Sequence, residues 1–345
     1  MLDTLIKQLA DSTALTDEQV RDAIGCLTDE AVSPEAKADF LTALADKGET
    51  PGEIAAFASE LSDKALPVPL DDETRGREML DVCGTGGDKL GTFNISTTVA
   101  LVAAAAGVTV AKHGNRAITS KSGSADVLAE LGIPTDLTPE QVAASLRDNG
   151  FAFLFAPGYN PAFRHIMPAR KLCAERGQRT VVNFLGPLLN PARPTSQLIG
   201  VPTGELCEPI ARVLQSLGIR RGMVVNCKAG DSAMDELSTL GENTVAEFYQ
   251  DRGFSVSRDE PSLFPLQPAT LDDLKGGDAG ENAATIRAIL AGEDRGPRRD
   301  AVLLNAAHAL FVAARTKSAI EGWDLAASVI DDGLAKSKLA ELTDD

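Results

Sequence analysis

Residues 78–107 read EMLDVCGTGGDKLGTFNISTTVALVAAAAG and combine three patterns in one stretch. The run EMLDVC (78–83) predicts a short strand, and ISTTVALVAAAAG (95–107) predicts a helix of small residues. The glycines between them let backbone N–H groups approach an anion, and the first N–H groups of a helix favour negative charge. The stretch therefore predicts a βα unit that holds a phosphate-bearing ligand.

The loop and the helix start offer two places for negative charge in succession, which suits a ligand that carries more than one phosphate. We expect Asn94, Ser96 and Thr97 to cap the helix. The pattern differs from the two common nucleotide loops, because no Gly-Lys-Ser/Thr ends it and Lys89 stands where GxGxxG needs a glycine. A glycine-rich turn selected for geometry alone is the alternative interpretation.

Strands and helices alternate along the chain after this stretch, which is typical of a mostly parallel sheet with helices on its faces. Further strands are predicted at 108–114, 150–157 and 221–227, and an antiparallel edge pair at 244–250 and 253–257. Further helices are predicted at 124–132, 205–218, 282–292 and 301–317. The strand ends are where open parallel sheets bind ligands.

The first 63 residues have helical periodicity throughout, and LPVPLDDETRGR (66–77) reads as a linker. The predicted fold class is therefore α/β, with a small N-terminal helical domain and a larger α/β domain whose mostly parallel central sheet is flanked by helices. We place the domains at 1–72 and 73–345.

Composition excludes several function classes. The 345 residues carry a formal net charge of −17, which disfavours nucleic acid as a partner, because nucleic-acid binding needs Lys and Arg against phosphates. Five cysteines with no CxxC pair indicate neither a zinc site nor a disulfide framework. The N-terminus lacks the pattern of a signal peptide, and the most apolar run (99–110) is too short to span a membrane. We expect a cytoplasmic protein with no membrane partner.

Three other segments carry candidate site residues. KHGNRAITSKSGS (112–124) is a basic, hydroxyl-rich loop after the second strand, and we interpret it as the other half of the phosphate site. Arg164 and Arg170 could read a carboxylate, although for Arg164 we favour a solvated helix face. Adjacent Asp235 and Glu236 suit Mg²⁺, with a solvated acidic turn as the alternative.

Taken in order, long segments of this chain resemble the anthranilate phosphoribosyltransferases of tryptophan biosynthesis. The resemblance covers about residues 80 to 315 and is carried by these segments: DVCGTGGD, TFNIST, KHGNRAITSKSGSADVLAELG, NFLGPLLNPA, MDELS, LKGGDAGENAATIRAILAG and AVLLNAAHAL.

That resemblance implies a reaction: anthranilate and 5-phosphoribosyl 1-pyrophosphate (PRPP) give N-(5-phosphoribosyl)anthranilate and pyrophosphate, with Mg²⁺ as cofactor. It implies the fold shared with pyrimidine nucleoside phosphorylases, a homodimer, and a helical domain joined by helices from about 158–192. An aromatic amine is a neutral nucleophile at pH 7, so no general base is assigned and catalysis would depend on positioning and charge stabilisation.

The resemblance also assigns residue roles. PRPP would be bound by Gly84, Gly87, Asp88, Thr92, Asn94, Ile95, Ser96, Thr97, Lys112, His113, Gly114, Asn115, Arg116, Ala117, Ile118, Thr119, Ser120 and Ser124. Anthranilate would be contacted by Gly84, Asn115 and Arg170. Mg²⁺ would be bound by Ser96, Asp235 and Glu236.

The chain departs from the family pattern at three places. About three extra residues separate Arg170 from the LGP turn, Asn160 stands where the family often has His, and Ala233 stands where it often has Gly. Two other functions stay open: a pyrimidine nucleoside phosphorylase of the same fold, and a non-catalytic relative that binds nucleic acid. The acidic pair argues against the first, and the net charge of −17 argues against the second.

Overall fold

A computed structural model describes residues 1–88, 90–117, 121–250, 253–259 and 261–343. Its α-helices, α1 to α16 in chain order, are Leu2–Ala10, Asp17–Thr28, Pro34–Lys47, Pro51–Ser62, Asp72–Gly76, Ile95–Ala105, Ser124–Leu131, Pro139–Asp148, Ala156–Tyr159, Met167–Glu175, Val182–Leu185, Cys207–Ser216, Ala279–Leu290, Pro297–Val312, Ala319–Asp331 and Leu334–Thr343. Its strands, β1 to β8, are Met79–Gly84, Thr109–Gly114, Phe151–Phe155, Ser196–Gly200, Arg221–Ala229, Ser232–Met234, Glu242–Tyr249 and Gly253–Asp259.

The N-terminal helices begin where their sequences predict. Thr16 and Thr50 cap α2 and α4, and each forms a capping box with the side chain three residues later, Gln19 or Glu53. Ser33 caps α3, whose first residue is proline. Local side-chain chemistry therefore sets the helix starts in this part of the chain.

Helices α1 to α4 do not form a core by themselves. Their buried apolar residues belong to one cluster with side chains of α10, α11 and α12, and with residues on one face of β1, β4, β5 and β7. Helix α10 packs against α3, and α12 packs against α4. The domain boundary at residue 72 stays a prediction.

Among the described residues, the eight strands form one sheet in the order β3-β2-β1-β4-β5-β7-β8, with β6 paired to β5. Strands β1 to β5 run parallel, and β7 lies antiparallel to β5 and to β8. The predicted fold class and the predicted antiparallel edge pair are both confirmed.

The centre of the sheet is a strand that the sequence analysis does not predict. Strand β4 (Ser196–Gly200) pairs with β1 on one side and β5 on the other. The chain runs from β1 outward through β2 to β3 and then returns to the far side of β1 as β4. The order of strands thus reverses between β1 and β4, and open α/β sheets bind ligands beyond the carboxyl ends of strands at such a point.

The small residues of α6 are explained by its surroundings. The helix follows β1 and is buried over nearly its whole length, against β1 and β2 on one side and α14, α15 and α16 on the other. Alanine lets these elements approach closely without leaving a gap. No helix in the described part of the chain is both long and apolar enough to cross a membrane.

Candidate active site

The carboxyl ends of β1 and β4 are fitted closely around one acidic residue. A Cβ placed on Gly84, the last residue of β1, would lie 2.5 Å from Oδ2 of Asp235. A Cβ on Gly200, the last residue of β4, would overlap the backbone carbonyl of Asp235. Both positions therefore need glycine for Asp235 to lie over the strand ends, at the reversal point of the sheet.

The glycine-rich loop beyond β1 has the backbone geometry that anion binding requires. Gly86 and Gly87 have φ values of +72° and +97°, which disfavour any residue with a side chain. The N–H of Gly86 donates to Oδ2 of Asp235 over 2.7 Å, and the N–H of Thr85 donates to the carbonyl of Gly200 over 2.8 Å. The loop is thus anchored to β4 and to Asp235 at its base.

The second half of the loop is held by a distant segment. Thr92 forms an isolated bridge with Lys275, and the N–H of Phe93 donates to the carbonyl of Leu274 over 3.0 Å. A Cβ on Gly276 would lie 2.7 Å from Cα of Phe93. The glycines of LKGGD (274–278) therefore serve the close approach of two backbone segments.

The prediction that Asn94 caps α6 with its side chain is wrong. Asn94 is the N-cap residue, but its amide donates to the carbonyl of Ser122 over 3.3 Å and accepts from Asn282 over 2.9 Å. The first intrahelical bond runs from the N–H of Thr98 to the carbonyl of Asn94. Asn94 therefore makes no side-chain cap of α6, and a carboxylate oxygen of Glu236 accepts from the backbone N–H of Ser96 in the first turn of the helix.

Three carboxylates converge beside the loop. Burial is the main cause that raises the pKa of Asp235, and the neighbouring carboxylate of Asp88 raises it further. Burial also raises the pKa of Glu236, with repulsion from Asp235 adding to the shift. Oδ2 of Asp88 is buried and has no hydrogen-bond partner among the described residues. The cluster therefore has more negative charge than its neighbours neutralise.

Two buried asparagines fix the backbone of this acidic segment. Asn226 donates from its amide to the carbonyls of Val201, over 2.8 Å, and Met234, over 3.0 Å. Asn305 accepts from the N–H of Leu237 over 3.0 Å and donates to the carbonyl of the same residue over 2.7 Å. The segment 234–237 is therefore held on both sides of the two carboxylates.

Lys112 lies beneath the start of α6 rather than in a solvated loop. The residue is in β2 and is 1% exposed, and its Nζ donates to the carbonyl of Val82 over 2.6 Å and to Oγ of Ser96 over 3.5 Å. Burial lowers the pKa of Lys112, while the carboxylate of Asp81 opposes that shift. Glu236 also lies near this lysine and accepts a hydrogen bond from the backbone of Ser96. Ser96, Asp235 and Glu236, the three predicted metal ligands, are thus brought into one neighbourhood.

His113 is buried on the opposite face of the sheet from Lys112. Its ring Nε2 lies 3.3 Å from the side-chain amide nitrogen of Asn160, and its backbone N–H donates to Oδ1 of Asp81 over 3.3 Å. Burial lowers the pKa of His113 to about 4, with Lys112 adding to the shift and a hydrogen bond with the backbone of Gly186 opposing it. A contact between His113 and PRPP stays a prediction, while the ring itself is engaged with Asn160.

Asp126 organises the basic loop beyond β2, and the sequence analysis does not identify it. Its Oδ2 accepts from the N–H groups of Ala117, over 2.9 Å, and Gly123, over 3.0 Å, and its Oδ1 pairs with Arg116 at 3.3 Å. The carbonyl of Asn115 accepts from the hydroxyl of Ser124 over 3.3 Å. The position of Asp126, third in the helix that follows Gly123, is the sequence feature that could have found it.

Three of the predicted PRPP contacts, Ile118, Thr119 and Ser120, lie outside the described residues. Besides Lys112 and His113, two of the predicted contacts on α6 are buried: Ile95 and Thr97 are each 1% exposed. A ligand at this end of α6 would therefore meet their backbone rather than their side chains.

Arg170 is a half-buried cation on α10, and its guanidinium has no ion pair or hydrogen bond among the described residues. Burial lowers its pKa. The structure gives it no polar contact with the other predicted site residues that are described. Arg164 instead lies 3.9 Å from Glu30 on the surface, which agrees with the solvated role favoured for it.

The predicted site residues that the structure describes lie on two walls. The sheet wall comprises the glycine-rich loop with the start of α6 (84–88 and 90–97), the described part of the segment after Ala111 (112–117 and 121–124) and the acidic segment (234–237). The helical wall comprises α10, α11 and the turn between them (167–185). They meet where Asn160, just before the helical wall, contacts His113, and where Nη2 of Arg179 would lie 3.7 Å from a Cβ on Gly87.

The donor set of the sheet wall fits Mg²⁺. Magnesium keeps several waters and substrate phosphates as ligands and takes only one or two carboxylates from the protein. Within the described residues no three His, Cys, Asp or Glu side chains form a ready cage for a metal ion. Clustered, partly unpartnered carboxylates beside a phosphate loop match that mode of binding, and the lack of clustered His and Cys disfavours zinc.

Comparisons with known proteins define the class. The model of the α/β domain of the glycosyl transferase family matches residues 76–336, and the model of its helical bundle domain matches residues 3–65. A curated anthranilate phosphoribosyltransferase of Geobacter sp. (strain M21) is 48% identical over 278 residues, which cover 80% of this chain and 77% of the relative.

Solved structures agree over nearly the whole length. An anthranilate phosphoribosyltransferase from Thermus thermophilus is similar with a TM-score of 0.88 at 42% identity, covering 98% of both chains. The enzyme from Saccharomyces cerevisiae in complex with PRPP and Mg is similar with a TM-score of 0.86 at 28% identity, covering 99% of this chain and 96% of that one. The chain belongs to the anthranilate phosphoribosyltransferase family.

Proposed function

We propose that this protein transfers the 5-phosphoribosyl group of PRPP to the amine of anthranilate, giving N-(5-phosphoribosyl)anthranilate and pyrophosphate, in tryptophan biosynthesis. One observation carries the proposal beyond family membership. The sheet wall combines a phosphate loop with an unneutralised carboxylate cluster, and the neighbouring helical wall carries the half-buried, unpaired Arg170. A metal-bound diphosphate and an aromatic carboxylate complement these two features.

The sheet wall would bind the donor substrate. The N–H of Gly87 has no partner among the described residues and would meet a phosphate of PRPP, whereas the N–H groups of Gly86 and Ser96 already donate to Asp235 and Glu236. Ser96, Asp235 and Glu236 would hold Mg²⁺. When bound, Mg²⁺ neutralises charge on the leaving pyrophosphate. Lys112 lies beneath the same place, where its Nζ is 3.5 Å from Oγ of Ser96.

The helical wall would bind the acceptor. Arg170 would hold the carboxylate of anthranilate through a two-point hydrogen bond and aim the amine at C1′ of the ribose. The bond from C1′ to pyrophosphate breaks as positive character develops on the ribose, and the amine attacks from the opposite side. The amine then loses its extra proton to solvent, so the chain need not supply a strong base.

The defining experiment follows the fluorescence of anthranilate in the presence of PRPP and Mg²⁺. Loss of fluorescence is expected only with both added, and chelation of the metal should stop it. Thymidine or uridine with phosphate serves as the matched test for the nucleoside phosphorylase. Turnover of either nucleoside with no loss of anthranilate would overturn the proposal.

Binding of nucleic acid is tested separately, by a gel shift with single-stranded DNA at physiological salt. We expect no shift, because the net charge of −17 repels phosphates. A tight complex would favour the non-catalytic relative.

We also propose, from the family resemblance, a homodimer in the cytoplasm. Light scattering on the purified protein should give about twice the chain mass of 36.2 kDa. A mass equal to one chain would contradict the dimer without affecting the proposed reaction.

A further inference from the structure

Only two arginines among the described residues have no hydrogen bond or ion pair. They are Arg170 and Arg179, both on the helical wall. The other described arginines bind a carboxylate, a carbonyl or both: Arg21, Arg75, Arg77, Arg116, Arg147, Arg164, Arg176, Arg193, Arg212, Arg220, Arg221, Arg258, Arg287, Arg295, Arg298, Arg299 and Arg315. In a chain with 50 acidic residues, two unpaired arginines this close in sequence need an explanation.

Arg179 has no assigned role, and its position is specific. Its guanidinium carbon lies 5.9 Å from the centre of the Phe184 ring. Its Nη2 would lie 3.7 Å from a Cβ on Gly87. The cation therefore lies between an aromatic side chain of its own wall and the phosphate loop of the other.

The backbone that carries Arg179 is fixed on both sides. The N–H of Gln178 donates to the carbonyl of Cys173 over 2.9 Å, and its amide donates to Asp46 over 3.2 Å. The N–H of Thr180 donates to Oδ1 of Asn183 over 2.9 Å, and the Thr180 side chain is buried. A side chain projecting from an anchored turn costs less entropy to order on a ligand than one on a free loop.

We propose that Arg179 is a PRPP-binding residue. Its guanidinium donates to phosphate oxygens of PRPP that lies against Gly86 and Gly87 of the glycine-rich loop. This inference rests on the proposed function. The N–H of Gly87, which has no partner among the described residues, would meet the anion from the sheet wall, and Arg179 supplies the opposing charge from the helical wall. The anthranilate carboxylate is already matched by Arg170, so a phosphate is the ligand left for Arg179.

The test compares Arg179→Gln and Arg179→Lys with the matched control Arg212→Gln. Arg212 lies on α12, outside both walls, and forms a surface ion pair with Glu208 at 2.8 Å. For Arg179→Gln we expect a rise of about 10- to 100-fold in the KM for PRPP, because a charge-assisted contact is lost. The KM for anthranilate should change less than about threefold. Arg179→Lys should recover part of the loss, and the control should behave as wild type.

Titration calorimetry with PRPP and Mg²⁺, without anthranilate, gives a readout that does not need turnover. Weaker binding to Arg179→Gln than to wild type, with an unchanged melting temperature, supports the inference. Equal binding overturns it and leaves the proposed function intact. Wild type that binds no PRPP overturns both, whereas PRPP binding without consumption of anthranilate overturns only the proposed acceptor.

Inhibition by inorganic pyrophosphate and by ribose 5-phosphate identifies the end of PRPP that Arg179 contacts. Arg179→Gln should lose affinity for one of these two inhibitors much more than for the other. Unchanged inhibition by both would contradict a phosphate contact.

Discussion

The two walls of the candidate site are built in opposite ways. On the sheet wall the polar groups hold one another: Asn226 and Asn305 fix the acidic segment, and Asp126 fixes the basic loop. On the helical wall the two cations, Arg170 and Arg179, have no hydrogen bond or ion pair among the described residues. One wall is preorganised and the other is open to a ligand.

The charges differ in the same sense. The sheet wall gathers carboxylates whose pKa values burial raises, so a bound cation would stabilise their ionised forms. The helical wall carries unpaired guanidinium groups, so it lacks an anion. A magnesium complex of PRPP together with anthranilate supplies both. Substitutions on one wall should therefore change the kinetic constants for one substrate more than those for the other.

The largest effect is expected from neutralising the sheet wall. The double change Asp235→Asn, Glu236→Gln should lower kcat/KM by about a thousandfold, because metal stabilisation contributes several kcal/mol and each 1.36 kcal/mol is tenfold. The loss is measured by titrating Mg²⁺ in the anthranilate fluorescence assay. The matched control, Asp231→Asn with Glu242→Gln, removes two exposed carboxylates nearby and should leave the metal dependence as in wild type. Unchanged metal dependence of the first variant would remove both residues from the site.

How much of the fold the sequence could predict depends on whether the partners of a residue lie near it in the chain. Strand β1, its glycine loop and α6 are contiguous, and each has a local pattern, so the βα unit could be predicted directly from the sequence. Strand β4 could not, because Ser196 and Gln197 are polar residues whose partners, Glu78 and Asp81, lie over 100 positions earlier. A buried strand that carries polar side chains has no local apolar signature.

Long-range partners also account for what was wrong or missed at the site. Asn94 looks like a helix cap, but Asn282 and Ser122 take its side chain from elsewhere in the chain. Arg179 looks like any surface arginine, because the lack of a partner is visible only in three dimensions. The sequence shows which residue types are present, but it does not show which of them form hydrogen bonds or ion pairs with each other.

The next largest effect is expected on the helical wall. Arg170→Ala should raise the KM for anthranilate about 10- to 100-fold, since an interaction with a charged group contributes about 1.5–3 kcal/mol. The KM for PRPP should change far less. Arg164→Ala, which removes a surface arginine near Glu30, is the control and should alter neither constant. Equal rises in both constants would refute the assigned role.

A smaller effect is expected from displacing the acidic segment without changing its charge. In Gly84→Ala the new Cβ would lie 2.5 Å from Oδ2 of Asp235 and push that side chain away. We expect about a tenfold higher Mg²⁺ concentration for half-maximal activity and a loss of about 1–3 kcal/mol in stability. Gly25→Ala in α2, where a Cβ would meet nothing within 4 Å, should not change the metal response. A normal metal response in Gly84→Ala would mean that the position of Asp235 is unimportant.

The smallest effect concerns the seam between the walls, where His113 meets Asn160. Burial lowers the pKa of His113 from 6.5 to about 4, so the unfolded chain takes up the proton first as the pH falls. Folding stability from this group is therefore complete above about pH 6.5 and is lost between about pH 6.5 and pH 4. Between pH 6.5 and 5.5 the loss should be about 1 kcal/mol, because the histidine of the unfolded chain is already half protonated at pH 6.5.

Urea unfolding at both pH values, for wild type and His113→Gln, isolates this term, because the carboxylates titrate alike in both proteins. Wild type should lose about 1 kcal/mol more than the variant over this interval. The control His165→Gln, at a partly exposed site beside Glu30, should follow wild type. Identical pH dependence of wild type and His113→Gln would mean that the ring is hydrated in solution. The seam would then be open to water, and the two walls would be less firmly joined than the contact with Asn160 indicates.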